Sequence, residues 1–168
     1  MAERVSEADE NLLLLDDLAS FRKHLLKLLE SSRRDLYVLS SVLDKSLFDD
    51  QEFIDGLSAF VRSDRVASAK ILVKDSQIFV DQHSVLRNLY RRLPSKLSVR
   101  QLKYEPENND RSYIIGDNNL LLYLHDDGIY NGFMNYNAGP ELQSIREEFI
   151  YLWEQHGKEI PEFKELHI

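Results

Sequence analysis

Between Asp110 and Asn137 the chain reads DRSYIIGDNNLLLYLHDDGIYNGFMNYN, and this stretch restricts the fold more than any other. Three runs rich in Ile, Leu, Tyr and Phe are separated by Gly116-Asp117-Asn118-Asn119 and by Asp126-Asp127-Gly128. Turn-forming residues between apolar runs mark tight reversals, the Asp-Gly pair being the stronger of the two signals. The spacing therefore predicts an antiparallel three-strand meander.

The rest of the chain alternates. Residues 1–10 are polar and acidic, with nothing to bury, and are expected to be disordered. Asn11 to Asp16 reads as a short strand. From Leu18 to Arg34, apolar residues at Leu18, Phe21, Leu25, Leu28 and Leu29 follow the 3.6-residue period of an amphipathic helix, capped by Asp16 or Asp17. Its Arg22, Lys23, Lys27, Arg33 and Arg34 read as a solvated face. Asp35 to Ser41 has the content of a buried strand. A second helix starts at Asp49 or Asp50, and Ala69 to Val73 forms the next strand. Ser76 caps a third helix whose seam holds Phe79, His83, Leu86, Tyr90 and Leu93, ended by Pro94. Leu97 to Leu102 is a strand, and the meander follows. Gly139-Pro140 opens a final helix that Gly157 stops. This order implies an α/β fold: one domain over residues 1–168, a mixed sheet with helices on both faces.

Composition removes several classes of chemistry. The chain has no cysteine, which excludes thiolate nucleophiles, iron–sulfur sites and Cys-type zinc sites. No apolar run approaches the ~20 residues needed to cross a bilayer, and the amino terminus is acidic, so no membrane association and a cytoplasmic location are expected. A net charge of −8 opposes generic nucleic-acid binding. Locally the balance reverses: residues 82–104 hold six Lys or Arg and no acid.

The wording of the meander resembles the second half of a phospholipase D-like domain, in which a strand carrying His-x-Lys-x-x-x-x-Asp is followed by one carrying Gly-Ser-x-Asn. Setting that Asp on Asp117 puts Asp110 at the position of the nucleophilic His and Ser112 at that of the Lys. Gly132-Phe133-Met134-Asn135 then falls on Gly-Ser-x-Asn. The element order from Leu18 to Gln155 resembles one such unit as well. In the family the His attacks phosphorus and the Lys stabilises charge on the phosphoryl oxygens. The resemblance implies a degenerate motif here, because a carboxylate at Asp110 repels a phosphodiester and Ser112 carries no charge. The wording around His83-Ser84-Val85-Leu86-Arg87, Arg91-Arg92-Leu93-Pro94-Ser95 and Leu152-Trp153-Glu154 is most similar to a bacterial subgroup. There the unit lacks the catalytic His and Lys and is sometimes joined to a GNAT-type acyltransferase domain. This implies a non-catalytic binding or interaction module, with an acyltransferase-type protein as a candidate partner. Phospholipase D-like units commonly pair, so a homodimer is a further expectation.

Three sets of residues are candidates. Asp110, Ser112, Asn135 and Asn137, with Asp44 and Asp75 just past their strands, would line the sheet crevice where the family's active site lies, as a ligand site or as a set of mutually hydrogen-bonded polar groups. His83 is the one candidate catalytic group: it would serve as general base beside Asp75, or as a satisfied core histidine. These make an enzyme, either a phosphodiesterase using His83 or the accessory subunit of an acyltransferase, the alternative to a binding module. The third set is Arg87, Arg91, Arg92 and Arg100, interleaved with Tyr90 and Tyr104, which would hold phosphate, nucleic acid or an acidic partner, or form a solvated face. His125-Asp126-Asp127 reads as turn chemistry instead of a metal site. No cofactor is expected.

Overall fold

The protein is described by a computed structural model covering residues 11–41, 44–48, 51–75, 77, 84–104, 110–126 and 128–161. Residues 1–10 and His83, for which disorder and a catalytic role respectively were expected, lie outside the described residues.

Three parallel strands, β2 (Asp35–Ser40), β3 (Ser68–Val73) and β4 (Leu97–Leu102), form the centre of the molecule. The near-continuous burial of β2 and β3 matches strands covered on both faces, while β4 is buried at alternate positions over its first half. The predicted meander, β5 (Ser112–Gly116), β6 (Leu120–Asp126) and β7 (Ile129–Asn135), joins antiparallel beside β2. A short strand β1 (Leu12–Leu15) closes that side against β7, and β8 (Gly157–Glu159) pairs with β4. The result is one mixed sheet in the order β1-β7-β6-β5-β2-β3-β4-β8.

Alternation along the strands divides the core into two layers. On one face Leu36, Val38, Ile71, Val73, Ile114 and Leu122 pack beneath α1 (Leu18–Ser31), α2 (Lys45–Phe48), α3 (Gln51–Arg62) and α4 (Ser84–Arg92). On the other, Tyr37, Leu39, Leu72, Tyr113 and Ile115 pack beneath α5 (Pro140–His156), the one helix on that face among the described residues, through Leu142, Ile145, Phe149, Leu152 and Trp153. Phe21 and Phe149, both fully buried, anchor the two layers, each contributing about 2–3 kcal/mol by removal from water.

The local signals set the helix ends. The Asp17 carboxylate accepts the Ser20 N–H at 2.7 Å, as the capping signal predicts. At the other end α1 stops at Ser31, short of the expected Arg34. Ser32 turns back on Leu28, with N–H and hydroxyl both donating to its carbonyl, and the next three N–H groups go to Asp117. Two elements were not expected: the single-turn α2, and β8, which follows α5 directly at Gly157. Both are too short to carry a period. Among the described residues no helix is long and apolar enough to cross a membrane.

Candidate functional site

At the carboxyl ends of β2 and β3 the chain leaves the sheet next to the start of β5. The register pairs Leu39 with Tyr113, so Ser40 comes level with Ser112, and both serines are buried. Asp110 is exposed just beyond the sheet end, two residues earlier. Lys74 follows β3 and reaches across to donate from Nζ to the Arg111 carbonyl at 2.8 Å, tying the end of β3 to the start of β5. Asp75 accepts the Gln77 N–H at 3.1 Å. Asp44 accepts the Ser46 N–H at 3.1 Å, and its carbonyl starts α2. Its other carboxylate oxygen takes the Tyr130 hydroxyl from β7. Burial, reinforced by Asp44, pushes the Tyr130 phenol well above its usual range. The structure therefore brings Asp44, Asp75, Asp110 and Ser112 to one end of the sheet, with Asp44 and Asp75 in the turn and cap roles their residue type suggests.

Asn135 and Asn137 do not join them. In a meander the first and third strands run the same way, so the start of β5 and the end of β7 lie at opposite ends. Ser112 is opposite Leu124, Leu124 is opposite Gly132, and Asn135 lies three residues further on, about 10 Å along the strand. There the Asn135 amide donates to Glu141 at 3.3 Å and its carbonyl oxygen accepts the Asn137 N–H at 2.9 Å, closing the turn into α5. The expected grouping of all six residues is corrected: Asn135 and Asn137 lie at the opposite end of the sheet from the other four. The same register corrects the placement of Gly132-Phe133-Met134-Asn135 on Gly-Ser-x-Asn. The strand that follows and pairs with Ser112 is β6, so the facing position is Leu124, and Gly132 is one strand beyond. Gly132 has a local reason of its own: a Cβ there would collide with the Tyr123 carbonyl.

A polar cluster that carried no sequence signal sits on the α5 side of the same sheet end. Arg111 pairs with Glu148 at 2.5 Å and donates to the Tyr123 hydroxyl at 3.3 Å, while the buried Tyr113 hydroxyl donates to Glu148 at 2.9 Å. Burial first and the Glu148 charge second raise the Tyr113 pKa far above its ordinary value, so it stays a neutral donor. Arg111 and Glu148 are 37 residues apart in the chain, which is why no local pattern announced them.

The basic stretch is divided by the sheet. Arg91 and Arg92 line a cavity of about 500 Å³ between α3 and α4, beside Asp55, and Arg87 is half-buried on the same helix. Arg100 projects from the opposite face, its guanidinium carbon 4.6 Å from the Trp153 ring centroid and Nη1 donating to the Trp153 carbonyl at 2.9 Å. It therefore caps α5 and does not extend the α4 group, a correction that follows from the two-residue period of β4. Tyr104 stacks on His156 at 4.4 Å, and Tyr90 packs against the core. Among the described residues no three His, Asp or Glu side chains are placed to hold a metal ion.

Solved structures share this architecture. TrmBL2, an archaeal chromatin protein with a novel mode of DNA binding, matches with TM-score 0.64 and 16% identity over 94% of this chain and 56% of its own. Phosphatidylserine synthase of Haemophilus influenzae Rd KW20 matches with TM-score 0.63 and 13% identity over 94% of this chain and 41% of its own. NucT from Helicobacter pylori matches with TM-score 0.58 and 11% identity over 88% of this chain and 96% of its own. The chain thus spans little more than half of TrmBL2 but nearly all of NucT. At these identities the likeness establishes the fold, which is phospholipase D-like. No curated protein matches the sequence. The model of a domain of unknown function (DUF7931) matches residues 17–166.

Proposed function

The chain belongs to the DUF7931 family, and from that premise we propose that its phospholipase D-like scaffold serves as a non-catalytic binding or interaction module whose catalytic His and Lys have been lost. The observation that carries this reading is the pair Asp110 and Ser112: an exposed carboxylate and a buried hydroxyl stand where the resemblance puts nucleophile and cation. Neither is the imidazole that attacks phosphorus in the family, and neither carries a positive charge to neutralise developing charge on phosphoryl oxygens. Asp44 and Asp75 add negative charge to the same sheet end and are engaged in local turns, an arrangement that opposes a phosphodiester.

The test is hydrolysis of bis(p-nitrophenyl) phosphate by the purified chain beside a His83→Ala variant. No turnover above the variant's background is expected. Turnover that disappears in His83→Ala would overturn this reading in favour of a phosphodiesterase using His83. The interaction arm predicts a protein partner of acyltransferase type, or a second copy of the chain. Co-expression with a GNAT-type enzyme and light scattering of the isolated chain address the two separately.

A second reading is nucleic-acid binding through α4. It is favoured by Arg87, Arg91 and Arg92 sharing one helix, and by the fold likeness to a DNA-binding chromatin protein. Binding of this kind weakens steeply with salt. Anisotropy of a labelled duplex that is unchanged by Arg87→Glu with Arg91→Glu would eliminate it.

A further inference from the structure

At the far end of β2, where the chain enters the strand, the α1–β2 junction and the β5–β6 turn enclose a cavity of about 330 Å³. Three arginines line it, Arg33, Arg34 and Arg146, together with Asn118 and Asn119. Two carboxylates line it too, and both are already committed. Asp117 accepts the backbone N–H groups of Arg33, Arg34 and Asp35 at 2.9, 2.8 and 3.1 Å. Asp35 is paired with Arg146 Nη2 at 2.7 Å. Arg33 spends Nη1 on the Glu30 carbonyl at 3.1 Å. Among the described residues the Arg34 guanidinium makes no hydrogen bond or ion pair, and the buried Arg146 Nε has no partner.

We propose that this cavity is a binding site for a small phosphate monoester. Guanidinium groups offer planar donor forks that match phosphate oxygens, and the asparagine amides supply further neutral donors. A monoester carries a charge near −2 at neutral pH, and the lining sets three arginines against the two carboxylates of Asp35 and Asp117, a net charge of +1 with Arg34 left to meet the ligand. The cavity lies at the small end of the roughly 300–1,000 Å³ range of ligand sites, so it admits an ester group as well as the phosphate. The net charge of −8 on the chain opposes a polyanion and favours a small ligand. Arg146 is held in place by Asp35 and by its position 5.2 Å from the Tyr37 ring centroid, so one of the three cations is fixed before any ligand arrives.

The cavity is at the opposite end of β2 from Asp110 and Ser112, so its test stands apart from the diester assay. The full chain, labelled with ¹⁵N, is titrated with glycerol 3-phosphate at constant ionic strength, with inorganic phosphate and with glycerol in chloride as parallel arms. Saturable shifts at the amides of residues 33–35 and 117–119 are expected, with the ester binding more tightly than inorganic phosphate. Arg34→Gln, whose exposed side chain holds nothing in the fold, should weaken binding about tenfold. Shifts that do not saturate, that equal those in chloride, or that persist with unchanged affinity in Arg34→Gln would overturn the proposal. Inorganic phosphate binding as tightly as the ester would overturn the assignment to an ester.

Discussion

Replacing Asp117 by alanine removes the carboxylate that fastens the β5–β6 turn to the α1–β2 junction. Three backbone N–H groups, of Arg33, Arg34 and Asp35, lose their acceptor at once. Arg33 and Arg34 are exposed and Asp35 half-buried, so water replaces much of what is lost. Each bond is then worth about 0.5–1 kcal/mol instead of the larger value for a sealed charge. Asp117 also sits at φ 56, in the left-handed region, which aspartate tolerates and alanine does not, adding about 1 kcal/mol. The sum is about 3 kcal/mol, equivalent to a fall in Tm of about 6–12 °C for a chain of this size. Asp117→Asn keeps the left-handed tolerance and one acceptor oxygen and should lose about half as much. Asp117→Gly relieves the backbone without restoring an acceptor and should fall between the two. Equilibrium urea unfolding of the four proteins measures the series. A loss below about 1 kcal/mol for alanine, or equal losses for alanine and asparagine, would refute the reasoning.

Other substitutions probe the register and the caps. Gly132→Ala should cost about 3 kcal/mol or more, because its Cβ meets the Tyr123 carbonyl and backbone must move; near-parental stability would mean the β6–β7 register is wrong. Tyr130→Phe, which takes the hydroxyl from Asp44, should cost about 1–2 kcal/mol in urea unfolding and speed amide exchange in α2. His24, whose Nδ1 is 2.6 Å from the Tyr136 hydroxyl, has its pKa lowered by burial and by Lys23 and Lys27. The unfolded chain then binds more protons than the folded one below the ordinary value of 6.5, so this contribution is complete above that pH and is lost as pH falls through the folded pKa. Urea midpoints measured at about pH 7.5 and 5.5 should differ less in His24→Gln than in the parent; the same difference in both would assign the pH dependence elsewhere.

Much of the fold is legible in the residues. The Asp-Gly turn and its neighbours gave away all three meander strands, Asp17 its cap, and Leu97 to Leu102 its strand limits. The candidate site was legible only in part. Asp44, Asp75, Asp110 and Ser112 share a sheet end because each follows or precedes a strand whose direction is implied by its neighbours. The position of Asn135 and Asn137 at the other end is implied by the meander itself: two consecutive hairpins return the chain to its first direction, so the third strand must end opposite the start of the first. Arg100 was grouped with α4 by nearness in sequence, while the two-residue period of β4 sends it to the Trp153 face. Arg33 and Arg34 read as a solvated helix face because nothing near them in the chain announces Asp117 or Arg146.

The sequence by itself determined where the meander turns, which of the longer segments are helical and which extended, and which side of each is apolar. These are local properties, set by backbone preferences and by the period at which side chains return to one face. The tertiary structure alone decided which distant groups share a site. Asp117 is 83 residues from Arg34, Arg146 is 111 from Asp35, and Glu148 is 37 from Arg111. Strand order and register bring these groups together, and both are chosen by the burial of two whole sheet faces at once, a condition that no single segment carries.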